Sequence, residues 1–169
     1  MIICRVAAVG ICLSLSIWTA AAHAHDEGGN RGWVLELGPA AEWPLSSDPS
    51  NYGGTIAVEK EVIEGWLEIE FGTAALWTSG RTELSWDLLF KKPFTLSPTV
   101  ELMVGLGPEL VQTLNGDDRG TKVNAEFALD LMVWPTKRVG WFLEPTFSVN
   151  PGNGQTAFAL TGGIIISFP

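Results

Sequence analysis

The side chains that carry most enzyme chemistry are scarce in this chain, and they sit together. Its two cysteines are Cys4 and Cys12, and its two histidines are His23 and His25. Carboxylates are abundant instead: 19 Asp and Glu stand against 10 Lys and Arg, for a formal net charge of −9. Some recur at spacings of two or four residues, as in Glu68 with Glu70 and Glu126 with Asp130. Carboxylates sharing a face can divide the roles of acid and base. A serine hydrolase of the Ser-His type needs a histidine beside its nucleophile, and the body of the chain has none. Gly105-x-Gly107 lies within an apolar extended stretch and does not open a helix, so it is not read as a phosphate loop. The acidic excess repels nucleic acid phosphates, and no nucleic acid partner is expected.

The elements that position these carboxylates begin after an export signal. Arg5 precedes an apolar run from Val6 to Ala22, shorter than a comfortable membrane span. Ala22-His23-Ala24 is a small-x-small cleavage site, so residues 1–24 read as a cleaved signal peptide. Cleavage removes both cysteines, leaving no disulfide, thiolate or cysteine metal site. It also removes Arg5, which leaves nine basic against nineteen acidic residues. Residues 25–30 read as a flexible polar tail, and His25-Asp26-Glu27 as part of it rather than a metal site. Residues 31–169 suit one domain.

That domain alternates apolar and polar residues with a period of two, as in Leu67-Glu68-Ile69-Glu70-Phe71 and Phe127-Ala128-Leu129-Asp130-Leu131. Turn-forming residues divide it into eight segments. These run over Arg31–Trp43, Gly54–Val62, Gly65–Trp77, Arg81–Lys91, Phe94–Val111, Thr121–Trp134, Arg138–Val149 and Gln155–Phe168. The longer links are Pro44–Gly53, Gln112–Gly120 and Asn150–Gly154, with a shorter one at Thr78–Gly80. Between them fall tight links near Ile63-Glu64, Lys92-Pro93 and Pro135–Lys137. An even number of antiparallel strands can close without an edge and brings both termini to one end. The expected fold is all-β: an eight-stranded antiparallel up-and-down transmembrane β-barrel.

Periodicity alone does not say whether the apolar face points in, as in a soluble lipocalin-like carrier, or out toward lipid. The aromatic residues favour lipid. Trp33, Trp66, Phe90, Phe94, Trp134, Trp141 and Phe168 cluster near one set of segment ends. Trp43, Tyr52, Trp77, Phe147 and Phe158 cluster near the other, while Trp86 breaks the rule by sitting mid-segment. Two such girdles suit the two water–lipid boundaries. The last strand adds Thr161-x-Gly163-x-x-Ile166-x-Phe168, followed by Pro169. This resembles the assembly signal of outer-membrane barrel proteins, which usually ends on the aromatic itself. With the strand pattern, the chain resembles the small eight-stranded bacterial outer-membrane β-barrel group. The resemblance implies an outer-membrane location, with membrane lipid and the barrel assembly machinery as partners.

If the apolar face is outside, the polar face fills the lumen. It then carries Glu36, Glu59, Glu68, Glu70, Glu83, Asp87, Glu101, Glu126, Asp130 and Glu144, with Arg81, Lys91, Lys122 and Arg138. The core of this acidic interior is expected at Glu68, Glu70, Glu101, Glu126, Asp130 and Glu144, hydrated and partly protonated. Arg81, Lys122 and Arg138 are expected to bridge several of them. No catalytic residue, cofactor or metal is assigned. The expected role is structural or surface-interacting, with a narrow conduit for small solutes or cations as the alternative.

Overall fold

The computed structural model describes residues 32–46, 49–78, 80–115 and 119–169. Residues 1–24, expected as a signal peptide, and 25–30, expected as a polar tail, lie outside the described residues. Eight strands follow one another: β1 Trp33–Pro44, β2 Asn51–Ile63, β3 Leu67–Thr78, β4 Arg81–Ser97, β5 Val100–Thr113, β6 Gly120–Val133, β7 Val139–Val149 and β8 Thr156–Phe168. Each pairs antiparallel with its sequence neighbours, and β1 pairs with β8, so the sheet closes into a barrel. Closure leaves no strand edge with unpaired backbone groups. Trp33 pairs with Phe168, which places the start of β1 and the end of β8 at one end of the barrel. We call this the termini end and the opposite one the loop end.

Each strand presents alternate residues to opposite faces. In β6, Glu126, Ala128, Asp130 and Met132 are buried, and Phe127 and Leu129 between them are exposed. In β3, Glu68 and Glu70 are buried while Phe71 is exposed. The pattern is inverted relative to a water-soluble domain: carboxylates lie inside and large apolar side chains outside. Trp33, Phe90, Phe94 and Trp141 are exposed toward the termini end. Tyr52, Trp77, Phe147 and Phe158 are exposed toward the loop end. Trp43 joins the second group, stacking on Phe158 with ring centroids 5.9 Å apart and meeting Tyr52 edge-on at 6.5 Å.

Two expectations need correction. The link expected at Lys92-Pro93 is not a turn. Strand β4 continues through it to Ser97, and the chain reverses at Pro98-Thr99. A proline removes one ladder donor, but it favours extended backbone in the residue before it, so a strand tolerates Lys92-Pro93. Pro98 instead occupies a turn position that suits its fixed φ. The second correction concerns Trp134. It is not in the outer girdle but packs against a buried apolar cluster inside the barrel, formed by Val34, Met103, Met132, Phe142 and Ile165.

The seam between β1 and β8 explains one residue of the C-terminal motif, Gly163. Around Gly38 the two backbones approach closely. A Cβ added at Gly38 would lie 2.0 Å from the Gly162 carbonyl oxygen, and one added at Gly163 would lie 2.0 Å from that of Leu37. No side chain fits at either position without moving a strand. Gly163→Ala is therefore expected to lower stability by about 1–3 kcal/mol, the scale of overpacking. The same change at Gly120, where an added Cβ meets nothing within 4 Å, should be mild. Urea unfolding of the two variants, refolded side by side, measures the difference.

Candidate functional site: the acidic lumen

One lysine organises the interior. Lys91 sits on the lumen face of β4 and is completely buried, at 0% exposure. Its neighbours across the sheet are Glu68 on β3 and Gly105 on β5. A Cβ at Gly105 would come 3.0 Å from Lys91 Cγ, so the glycine makes room for the lysine stem. From there the ammonium reaches the barrel axis. It donates to Asp130 Oδ2 at 3.0 Å, to Glu144 Oε2 at 2.6 Å and to Glu70 Oε2. Glu59 Oε2 lies 3.6 Å away. Glu36 on β1 is buried in the same layer, within electrostatic reach of Lys91, Asp130, Glu70 and Glu59. Strands β1, β2, β3, β4, β6 and β7 therefore converge on one charge.

Of the six carboxylates expected at the core, three meet here: Glu70, Asp130 and Glu144. Glu68 and Glu101 are buried close to Glu59. Glu126 lies further toward the loop end, near Glu109, Asp87 and Glu144. The expected cations are a correction. Among the described residues Arg81 pairs with Glu83, at 3.4 Å, at the loop-end mouth. Lys122 is exposed there and donates to Gln155 Oε1 at 3.2 Å. Arg138 is exposed in the β6–β7 link. The bridging cation is Lys91, because it lies near mid-strand and a lysine stem there spans to the axis. The other three sit at strand ends, where water competes for them.

Two lumen acids escaped the sequence reading. Counting by twos from Glu36 and from Glu101 reaches Glu42 and Glu109, past Pro39 and Pro108 and still inside the segments Arg31–Trp43 and Phe94–Val111. Both strands continue through these prolines. Glu109 accepts from Asn124 Nδ2 at 2.9 Å. Glu42 accepts from Asn51 Nδ2 at 2.8 Å, and the same nitrogen donates to Glu83 at 2.9 Å.

The two ends of the lumen differ. From the loop end a polar well descends past Glu42, Arg81, Glu83, Lys122, Asn124 and Asn150. Deeper, a second cavity is lined by Asp87, Glu109, Glu126, Glu144 and Glu70, the last two being partners of Lys91. Beneath that layer, toward the termini end, lies the apolar cluster of Val34, Met103, Met132, Phe142 and Ile165, with Trp134 against it. The lumen is a blind acidic well with an ion-paired floor and an apolar plug. At the loop-end mouth Thr113 Oγ1 donates to Glu83 Oε1 at 3.1 Å. The arrangement concentrates negative charge, which suits it to binding cations.

Comparison with known proteins agrees with this architecture. The fold is that of the small outer-membrane β-barrels. Neisserial surface protein A aligns over 83% of this chain and 99% of its own, at 14% identity and a TM-score of 0.69. The outer membrane protein OprG of Pseudomonas aeruginosa aligns over 83% and 98%, at 10% identity and a TM-score of 0.61. The attachment invasion locus protein Ail of Yersinia pestis covers 82% and 99%, at 11% identity and a TM-score of 0.58. No protein-family profile matches the chain, and no curated protein is detectably similar in sequence. At these identities the likeness is one of fold.

Removing the Lys91 charge should be costly, because the carboxylates stay buried without their shared partner. For Lys91→Met we expect a loss on the order of 3–5 kcal/mol. Arg138→Met, in the exposed link, should change stability by less than about 0.5 kcal/mol. Urea midpoints of the refolded barrels check both values, and equal effects would mean that Lys91 does not organise the lumen.

Proposed function

We propose that the chain is an integral outer-membrane β-barrel whose role is structural or surface-interacting, and that it is neither an enzyme nor a through-channel. The observation that carries the membrane reading is the inverted surface. Trp33, Phe71, Phe90, Phe127, Leu129 and Trp141 face outward around a closed sheet, while the carboxylates face inward. Water would expel such a surface, whereas lipid solvates it. Aromatic side chains near both ends of the strands suit the two interfacial layers. The low-identity structural neighbours support the outer membrane as the setting. A soluble carrier would need the opposite placement of faces.

The closed lumen favours a structural role over a conduit. A passing ion would have to displace Lys91 from its carboxylates and then cross the apolar plug. The loop end would face outside the cell, by analogy with barrels whose termini lie in the periplasm. Its well would then open to the exterior. The links there are short, at 45–50, 79–80, 114–119 and 150–155, so any surface contact would involve the rim rather than a projecting adhesin. The barrel assembly machinery would read Thr161, Gly163, Ile166 and Phe168 on β8.

Four measurements test this reading. Carbonate or urea washes should leave the protein in the membrane fraction, and its release would point to a soluble barrel. Leu129→Arg places a charge on the outward face near mid-strand and should cost about 2–4 kcal/mol in lipid. Ala128→Ser, one residue away and facing the lumen, should be nearly silent by comparison. A tag between Asn115 and Arg119 should be reached by antibody on intact cells, and one in Pro135–Lys137 should not. Stepwise conductance of the purified barrel in a planar bilayer would overturn the closed-lumen reading in favour of the conduit.

A further inference from the structure

The charges around Lys91 do not balance. Glu36, Glu59, Glu70, Asp130 and Glu144 share one ammonium. Glu36, Glu59 and Asp130 are each at most 1% exposed. The ammonium uses Glu70 Oε2, Asp130 Oδ2 and Glu144 Oε2 as acceptors. A second set of oxygens is left over. Glu36 Oε1, Asp130 Oδ1 and Glu59 Oε1 are buried and accept no hydrogen bond, and Glu59 Oε2 has the Lys91 ammonium only at 3.6 Å. Buried lone pairs without a donor or a cation are costly. One carboxylate oxygen from each of Glu36, Glu59, Glu70 and Asp130 lies within 4.8 Å of the others.

We propose that the lumen binds a divalent hard cation, Ca2+ or Mg2+, between Glu36, Glu59, Glu70 and Asp130, beside the Lys91 ammonium. All four donors are carboxylate oxygens, the chemistry these ions select. Asp130 would bridge the two cations, one oxygen to each. Glu70 joins both sets, through the ammonium and the cage. The ion supplies the positive charge that one lysine cannot, and it occupies the oxygens that no donor reaches. Of the four donors Glu70 lines the inner cavity below the loop-end mouth, so the ion would enter from that side. The inference needs the closed barrel but not its membrane setting, so it stands or falls separately from the proposed role.

The test uses the mature barrel refolded in detergent micelles and stripped with a chelator. Titration with CaCl2 and with MgCl2, at constant ionic strength, should raise the thermal midpoint saturably for at least one of them. Isothermal titration should count a single ion per barrel. Glu36→Gln and Glu59→Gln should each weaken that binding roughly tenfold or more, since even outer-shell partners of a metal carry 10–100-fold in affinity. Glu64→Gln, an exposed carboxylate in the β2–β3 turn, should leave it unchanged. Lys91→Met should bind the ion more tightly than wild type, because the cage loses its resident cation. A second measurement needs no variant. Mn2+ added to the wild-type barrel should broaden the amide resonances of Glu36, Glu59 and Asp130 before those of the loops. Broadening confined to the loops, a midpoint that ignores both cations, or a shift that survives Glu36→Gln with Glu59→Gln would overturn the proposal. Protons alone would then balance the cage.

Discussion

A single buried ammonium surrounded by carboxylates is the interaction on which the rest of this barrel depends. Charges are expensive to remove from water, and an ion pair repays that cost only with good geometry and further hydrogen bonds. Here Lys91 meets Glu70, Asp130 and Glu144 directly, with Glu59 at 3.6 Å. These residues come from five different strands, so the cluster exists only when the sheet is closed and in register. A slip of one residue in any of those strands would turn its charged residue toward the outside. The same cluster that burdens the interior therefore selects one register against its neighbours.

The space for that cluster comes from residues with no chemistry of their own. Gly105 leaves room for the lysine stem, and Ala128 beside it keeps the axis open. Gly72 does the same for Asp87, whose carboxylate lies where a Cβ would otherwise stand, 2.5 Å from Oδ1. At the β1–β8 seam, Gly38 and Gly163 let two backbones approach. Small residues at these positions let a narrow barrel carry long charged side chains inside. An eight-stranded barrel is just wide enough for side chains to fill its interior, which suits a packed and ion-paired lumen.

The two halves of the lumen divide the work. Toward the termini end, Val34, Met103, Met132, Phe142 and Ile165 form a small conventional core. It excludes water below Lys91 and strengthens the ion pairs above it, since charges interact more strongly where the local dielectric is low. Toward the loop end, asparagine and threonine side chains share the carboxylates of Glu42, Glu83 and Glu109 and keep that half wet. The interior thus runs from polar side chains at the loop end to mainly apolar packing at the termini end.

The sequence by itself determined the strands and their faces. Alternation in Leu67–Phe71 and Phe127–Leu131 is a local property, because a strand exposes every second residue to the same side. That was enough to count eight strands, to place Glu68, Glu70, Glu126 and Asp130 on one face, and to place Leu129 on the other. Only local ambiguity misled it, at Lys92-Pro93, where a proline is compatible with both a turn and a strand. Which residues meet across the barrel was decided by the tertiary structure. Lys91 and Glu144 are 53 residues apart in the chain. Their contact follows from the stagger of strands around a closed sheet, and no period along the chain encodes it. For the same reason Trp134, aromatic and near a strand end like Trp141, went inside while Trp141 stayed out. Position along a strand is written in the sequence, but depth within the lumen and the partner across the axis arise only when the last strand closes on the first.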